Sequence, residues 1–140
     1  MSKILIGIDA GTKTGVCVLI GGKFFLLETM LIHRAMELVL KAKQGHGLLV
    51  HVFVEDARQR CGNPNDKRSH IKQQGVGSVK RDATIWEDFL RDHGIGFTMV
   101  DPKRNRTKTT HEQFCKITGW TGGRTNEHSR DAAMLLWGKQ

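Results

Sequence analysis

Three acidic residues each lie where an apolar segment ends, and their side chains are the ones in this chain best suited to do chemistry. Asp9 ends the first apolar run, Glu55 directly follows a β-branched run, and Asp131 lies one helical turn after His128. Carboxylates gathered at the ends of neighbouring strands repel one another, so a fold that assembles them normally needs a cation. Oxygen ligands of this kind suit Mg²⁺ or Mn²⁺. The pattern predicts a divalent-metal site at Asp9, Glu55, His128 and Asp131.

Two such ions about 4 Å apart could activate a water and stabilise the leaving oxygen of a phosphodiester. In this hypothesis the three carboxylates hold the ions, and His128 completes the ligand shell or shuttles a proton. Asp56 and Glu127 are further candidate ligands because each is adjacent to a residue of the set. Taken singly, each acid could equally be a turn, strand-end or helix-start residue. Their joint placement favours the metal site.

The elements that must position these residues follow from hydrophobic periodicity and turn residues. We predict strands at 4–9, 14–20, 23–30, 48–54 and 95–100, and helices at 31–43, 78–93, 109–118 and 126–137. The pair Gly21-Gly22 predicts a tight turn, Gly45 the end of a well-buried first helix, and the glycines after Asp9 a close approach of the backbone to a ligand. Residues 58–77 show no periodicity and are predicted to form a long exposed loop.

These elements, summarised as βββαβαβα, predict an α/β fold with a mixed five-stranded sheet flanked by helices. The 140 residues suit a single domain spanning 1–140. Twenty-two Lys and Arg against fourteen Asp and Glu leave a net charge of +8, which is typical of proteins that bind a polyanion. The apolar stretches are shorter than the roughly 20 residues of a membrane span. Three cysteines without framework spacing favour reduced thiols and a cytoplasmic location.

The element order and the acids together resemble the ribonuclease H-like superfamily, and more specifically the RuvC-type Holliday junction resolvases with their compact phage-borne relatives. The segments that carry the resemblance are 8–15 (IDAGTKTG), 52–55 (VFVE) and 128–133 (HSRDAA). The resemblance implies that Asp9, Glu55, His128 and Asp131 hold Mg²⁺ or Mn²⁺. It also implies a homodimer, active in DNA recombination and repair, that cleaves four-way DNA junctions symmetrically.

Basic residues near such a site are candidates to contact the phosphates of the DNA. The predicted DNA-binding residues are Arg58, Arg60, Lys67, Arg68 and Lys72 in the long loop, Lys80 and Arg81 at the start of the next helix, and Lys103, Arg104 and Arg106 after Pro102. Trp120 could stack on an unpaired base or anchor its own loop.

Other interpretations stay open at this point. The segment around Asp9 is also similar to the YqgF family, which implies an RNA-processing nuclease on the same fold. A ribonuclease H-like module that binds nucleic acid without cutting it is the other alternative. Sugar kinases and actin share an Asp-x-Gly-Thr loop, but they close two domains around ATP, which 140 residues do not supply. A zinc site is disfavoured because the chain has no Cys-x-x-Cys pair.

Overall fold

The computed structural model describes residues 2–59, 69–102 and 109–139. The helices and strands in these ranges are β1 (Ile4–Asp9), β2 (Lys13–Ile20), β3 (Lys23–Leu31), α1 (Ile32–His46), β4 (Val50–Glu55), α2 (Ser69–Asp92), β5 (Gly96–Val100), α3 (His111–Thr118) and α4 (Glu127–Leu136). The predicted α/β class is confirmed. Both helices predicted after β5 are present, so the full order is βββαβαβαα.

The strands form one mixed sheet in the order β3-β2-β1-β4-β5. The first three strands are antiparallel to one another, whereas β4 runs parallel to β1, and β5 runs parallel to β4. The five-stranded mixed sheet expected from the sequence is therefore confirmed. The parallel pairing of Ile8 with Val54 makes Asp9 and Glu55 the next residues along the two central strands. Both acids consequently lie at the same edge of the sheet.

The sheet separates two hydrophobic cores, because successive side chains of a strand point to opposite faces. On one face Ile6 and Ile8 of β1 pack with the fully buried Trp86 and Leu90 of α2, and α1 covers the same side. On the other face Leu5 packs in the cluster formed by α3 and α4. None of the helices in the described ranges is both long enough and apolar enough to cross a membrane.

Helix α1 is longer and less buried than the sequence suggests. The prediction that Gly45 ends it is wrong, because Gly45 lies inside the helix and Gly47, with φ of 54°, follows its last residue. The N–H of Gly47 donates to the carbonyl of Lys43, and its left-handed φ is the conformation that glycine tolerates best. Only Ala35 and Val39 are buried, so the expectation of a well-buried helix is also wrong.

The prediction of an exposed loop over 58–77 is wrong for its second half. A short 3₁₀ turn, Ala57–Gln59, follows β4, residues 60–68 lie outside the described ranges, and α2 begins at Ser69. Lys72 therefore lies in a helix rather than a loop, and Lys80 and Arg81 lie inside α2 rather than at its start. The glycines within 69–77 lower local helix propensity, which concealed the first turns of the helix. The predicted turn at Gly21-Gly22 is confirmed by positive φ at both residues.

Candidate active site

Asp9 lies at the carboxyl end of β1, on the face of the sheet that α4 covers. Its Oδ2 atom is 3.0 Å from Nδ1 of His128, in the first turn of α4. The Asp9 side chain is 17% exposed and that of His128 is 53% exposed. The structure therefore brings together two residues that are 119 positions apart in the sequence. The pair leaves an imidazole open to solvent above a mostly buried carboxylate.

The first turn of α4 is held over Asp9 by contacts with the two neighbouring strands. Asn126 caps the helix by accepting a hydrogen bond from the N–H of Ser129, and Ser129 Oγ accepts one from the N–H of Asn126. The hydroxyl of Thr29 in β3 donates to the Asn126 side chain at 2.7 Å. Asp9 pairs across the sheet with Gly15, and Gly15 pairs with Thr29. One row of paired residues across the sheet thus supports the start of α4.

Gly15 and Gly7 allow α4 to approach the sheet closely. A Cβ atom on Gly15 would lie 2.0 Å from the carbonyl oxygen of His128, and one on Gly7 would lie 2.2 Å from that of Ala132. The expectation that Gly15 makes room for a ligand is therefore wrong, since the room is taken by the helix that carries His128. The available signal in the sequence was one glycine in each of the first two strands, together with the small residues Ser129, Ala132 and Ala133 of the last helix.

The electrostatic environment of Asp9 disfavours its charge. The pKa of Asp9 is raised from 3.8 to about 6, and the largest cause is burial. The hydrogen bond with His128 lowers the pKa, whereas the charges of Asp131 and Glu55 raise it further. Glu55 is buried, at 6% exposure, and Asp131 is half-buried. The predicted carboxylates are therefore near enough for Glu55 and Asp131 each to disfavour ionisation of Asp9.

These residues supply the donor types that Mg²⁺ and Mn²⁺ prefer, namely carboxylate oxygens and one imidazole nitrogen. Within residues 2–59, 69–102 and 109–139, no three His, Cys, Asp or Glu side chains are arranged so that they could hold a metal ion as they stand. Glu127, the other candidate on α4, is exposed at the first position of the helix. The donor chemistry fits a divalent cation, and the side-chain positions do not form a complete ligand cage.

Asp56, the other candidate ligand, belongs to a separate ionic cluster. Its Oδ1 accepts from Arg58 Nε at 2.7 Å and from the Arg58 backbone N–H at 3.1 Å, while its Oδ2 accepts from Arg58 and Gln59. Arg58 also donates to Glu87 of α2 at 3.1 Å. The hydrogen bonds from Arg58 are the main reason why the pKa of Asp56 lies below its usual value. The Asp-x-Arg spacing was the available signal for this cluster.

The predicted DNA-binding residues are only partly described. Six of them, Arg60, Lys67, Arg68, Lys103, Arg104 and Arg106, lie outside the described ranges. Arg58 is 30% exposed and paired with two acids, whereas Arg81 is exposed on α2. Contact between these residues and DNA stays a prediction.

Sequence reasoning missed the role of Arg130, which lies beside Asp131 on α4. Its Nε atom donates to the carbonyl of Thr109 at 2.7 Å, and its NH1 atom donates to Thr125 at 3.0 Å. Thr109 lies three residues after Arg106, the last of the predicted DNA-binding residues after β5. The helix that carries His128 and Asp131 is therefore tied by a hydrogen bond to Thr109.

Trp120 and the cysteines have structural surroundings. Trp120 packs edge-on against Phe24 and donates from its Nε1 to the carbonyl of Gly123 at 2.8 Å, which favours the interpretation that it anchors its own loop. Burial raises the pKa of the Cys17 thiol to about 12, so this thiol stays protonated at neutral pH. Sγ of Cys115 lies 3.6 Å from Nε2 of His111 on the same helix.

Compared with known proteins, the chain matches no family model and no curated protein. A functional proposal for this chain therefore rests on the sheet topology and on the residues around Asp9.

Proposed function

We propose that this chain is a divalent-metal-dependent endonuclease with a ribonuclease H-like fold, and that it cleaves four-way junctions and other branched DNA. The mixed five-stranded sheet, with its three leading antiparallel strands, agrees with that fold. The observation that carries the proposal is the Asp9 carboxylate. It is mostly buried, its pKa is raised to about 6, and the charges of Glu55 and Asp131 contribute to that rise.

A fold gains no stability from such an arrangement, because a carboxylate with a raised pKa destabilises the protein when it ionises. A bound cation reverses the sign of this contribution, since it attracts the same charges that otherwise repel one another. Asp9, Glu55, Asp131 and His128 would hold the metal. When bound, two Mg²⁺ or Mn²⁺ ions would activate a water and stabilise the leaving oxygen of the phosphodiester.

The chain's own residues supply proton handling and positioning. The contact between Asp9 Oδ2 and His128 Nδ1 keeps a proton between them, and the exposed imidazole can exchange it with solvent. Deprotonated carboxylates are the metal ligands, so protons and cations compete for Asp9. The capped start of α4 fixes the backbone of His128 over the sheet. The imidazole therefore needs only a side-chain rotation to change from its contact with Asp9 to a contact with a bound cation.

Branched DNA is the proposed substrate because of the net positive charge of the chain and its resemblance to RuvC-type resolvases. A net charge of +8 favours a polyanion. The resemblance to RuvC-type resolvases favours a branched DNA cut by a homodimer, because a two-fold symmetric junction presents two equivalent strands to two equivalent sites. Structured RNA is the alternative substrate and is included in the test.

A non-catalytic nucleic-acid-binding module is the second candidate function. It is favoured by the observation that no three candidate ligands among the described residues are arranged to hold an ion as they stand. The raised pKa of Asp9 opposes it, because a module that only binds a polyanion has no use for a buried acid beside two others.

The test is a cleavage assay on a synthetic four-way DNA junction, with linear duplex and structured RNA as competing substrates, in Mg²⁺ and in Mn²⁺. We expect the wild-type protein to cut the junction. We expect Asp9→Asn to bind it with similar affinity but to cut it at least about 1,000-fold more slowly, since several kcal/mol of transition-state stabilisation depend on the metals. Asp88→Asn, at an exposed position of α2, is the matched control and should cut normally.

Cleavage by Asp9→Asn at the wild-type rate would rule out the proposed active site. Preferential cutting of structured RNA would replace the DNA assignment by the RNA-processing one. Tight, salt-sensitive binding without cleavage in either metal would establish the binding module instead.

A further inference from the structure

The β4 and β5 part of the sheet face that carries Asp9 is only partly covered by the described helices. Helix α4 packs mainly on β1 and β2 and makes smaller contacts with β3 and β4, and Phe53 of β4 packs partly against the hydrophobic cluster on this side. On this face β4 presents His51 and Phe53, which are half-buried, and β5 presents Gly96 and Thr98, which are exposed. The opposite face of the same two strands packs into the core against α1 and α2. The open surface is thus confined to the side of the sheet on which the active site lies.

The open face has the chemistry of a stacking platform. The rings of His51 and Phe53 are 4.9 Å apart, and the His51 ring leans over Gly96, where a Cβ atom would lie 3.1 Å from its Nδ1. Nε2 of His51 lies 2.8 Å from the hydroxyl of Thr98, which fixes the ring across β5. Burial lowers the pKa of His51, so the ring is uncharged at neutral pH. Two uncharged aromatic rings therefore lie side by side on the sheet.

Two lysines border these rings. The ammonium of Lys139 lies over the Phe53 ring, 5.1 Å from its centre. Lys3 helps to line a groove of about 320 Å³ that also includes Leu5, Leu48, Leu49, His51 and Phe53. None of these described lining residues is acidic. An aromatic floor with ammonium groups at its margin and no carboxylate in its lining complements a base and its phosphate.

The platform is continuous with the candidate active site. Phe53 and His51 precede Glu55 by two and four residues on the same face of β4, which is about 7 Å and about 13 Å along the strand. A nucleic-acid strand that had one phosphate at Asp9 and Glu55 and ran back along β4 would therefore cross Phe53 within about 7 Å.

We propose that the open β4–β5 face, formed by His51, Phe53 and Thr98 with Lys3 and Lys139 at its margin, binds an unpaired stretch of the nucleic-acid strand next to the scissile phosphate. A base stacks on the Phe53 ring in place of the Lys139 ammonium, and the ammonium moves to a phosphate. This inference rests on the proposed function, because the nucleic-acid strand is taken to run along β4 from a scissile phosphate at Asp9 and Glu55. It adds that the substrate has unpaired nucleotides beside the cut.

The experiment measures the affinity for a short fluorescein-labelled thymidine oligonucleotide by fluorescence anisotropy, in metal-free buffer so that nothing is cut. Phe53→Leu should weaken binding about 5- to 100-fold, because it removes one stacking surface and keeps an apolar side chain in the core. Phe53→Trp should retain the affinity. Lys139→Ala should reduce the slope of log K against log salt by about 0.7, and Lys41→Ala, exposed on α1, should leave the slope unchanged.

Equal oligonucleotide affinities of Phe53→Leu and the wild type, with both variants folded by circular dichroism, would overturn the inference. If Phe53→Leu instead changed only self-association in sedimentation, the face would be a protein interface and the inference would also fall. In either case Asp9-dependent junction cleavage would leave the proposed function standing. Conversely, Phe53-dependent binding by a protein that cuts no substrate would support the platform and refute the nuclease.

Discussion

Two aspartates lie at or just beyond the carboxyl end of a central strand, Asp56 buried and Asp9 mostly buried. Their surroundings favour the charge of Asp56 and disfavour that of Asp9. Asp56, after β4, accepts hydrogen bonds from Arg58 and Gln59, and its pKa is lowered. Asp9, at the end of β1, has a hydrogen bond to His128 and two acids nearby, and its pKa is raised to about 6. The first arrangement stabilises the fold by itself. The second costs stability in the metal-free protein, and under the proposed function a bound cation would offset that cost.

The largest expected effect comes from breaking the packing that creates the Asp9 site. Gly15→Ala would place a methyl group against the carbonyl of His128, so α4 must move away from the sheet. We expect a loss of about 3 kcal/mol in the free energy of unfolding, measured by urea denaturation. Gly45→Ala is the matched control because nothing lies within 4 Å of the added methyl group. It should stabilise the protein by about 0.5–1 kcal/mol, since Gly45 is inside α1. Equal effects of the two variants would show that α4 does not approach the sheet this closely.

A smaller loss is expected from breaking the Asp56 cluster. Arg58→Met leaves the buried Asp56 carboxylate without its guanidinium and leaves Glu87 only its longer pair with Arg91, at 3.7 Å. It should cost about 2–3 kcal/mol in the free energy of unfolding. Arg34→Met removes the exposed pair with Glu37 and should cost less than about 0.5 kcal/mol. Both are measured by urea denaturation at neutral pH. If Arg58→Met cost no more than Arg34→Met, the Arg58 hydrogen bonds would not stabilise the charge of Asp56, and the contrast between Asp56 and Asp9 would be wrong.

The smallest expected change has the opposite sign. Without divalent cations, Asp9→Asn should raise the free energy of unfolding by about 1–2 kcal/mol above about pH 7, because it removes a charge that the fold disfavours. The folded state binds the Asp9 proton more tightly than the unfolded chain does. The contribution of Asp9 to stability therefore falls as the pH rises from about 4 to about 6, and Asp9→Asn should remove that slope.

Asp56 provides the control for this pH dependence. Its folded-state pKa is lowered, so its stabilisation is present above the unfolded pKa and is lost as the pH falls through the folded pKa. Asp56→Asn should therefore destabilise the protein at neutral pH and abolish this acid-side loss. Denaturation at a series of pH values in the presence of a chelator checks both variants. Destabilisation by Asp9→Asn at neutral pH would contradict the comparison.

Much of the fold could be predicted from the sequence because the strands are apolar runs with short links. All five strands were predicted close to their observed positions, and Ala132, Ala133, Leu135 and Leu136 form the buried face of α4 as expected. The end of α1 and the start of α2 were not predicted correctly. A glycine ends a helix only where the backbone takes a left-handed φ, which Gly47 does and Gly45 does not. Local sequence does not distinguish the two.

The candidate site was predictable as a set of residues but not as a geometry. Parallel pairing of β1 with β4 placed Asp9 and Glu55 at one edge, as their positions at the ends of apolar runs indicated. The sequence does not show which acid has a cationic partner, because the partner is positioned by residues that are distant in the sequence. Arg58, for example, is held beside Asp56 by a second hydrogen bond to Glu87 of α2. The open β4–β5 face could not be predicted from the sequence either, because it depends on the position at which α4 packs on the sheet.

The most direct test of the central claim is the shift in melting temperature produced by Mn²⁺. We expect Mn²⁺ at a hundredfold excess over its Kd to stabilise the wild-type protein by about 2–3 kcal/mol. Asp9→Asn should lose this gain, and Asp88→Asn should retain it. The bound metal would then stabilise the charged form of the Asp9 carboxylate, which the metal-free fold disfavours. A Mn²⁺ shift that is absent from the wild type, or equal in the wild type and Asp9→Asn, would contradict the assignment of Asp9 as a metal ligand.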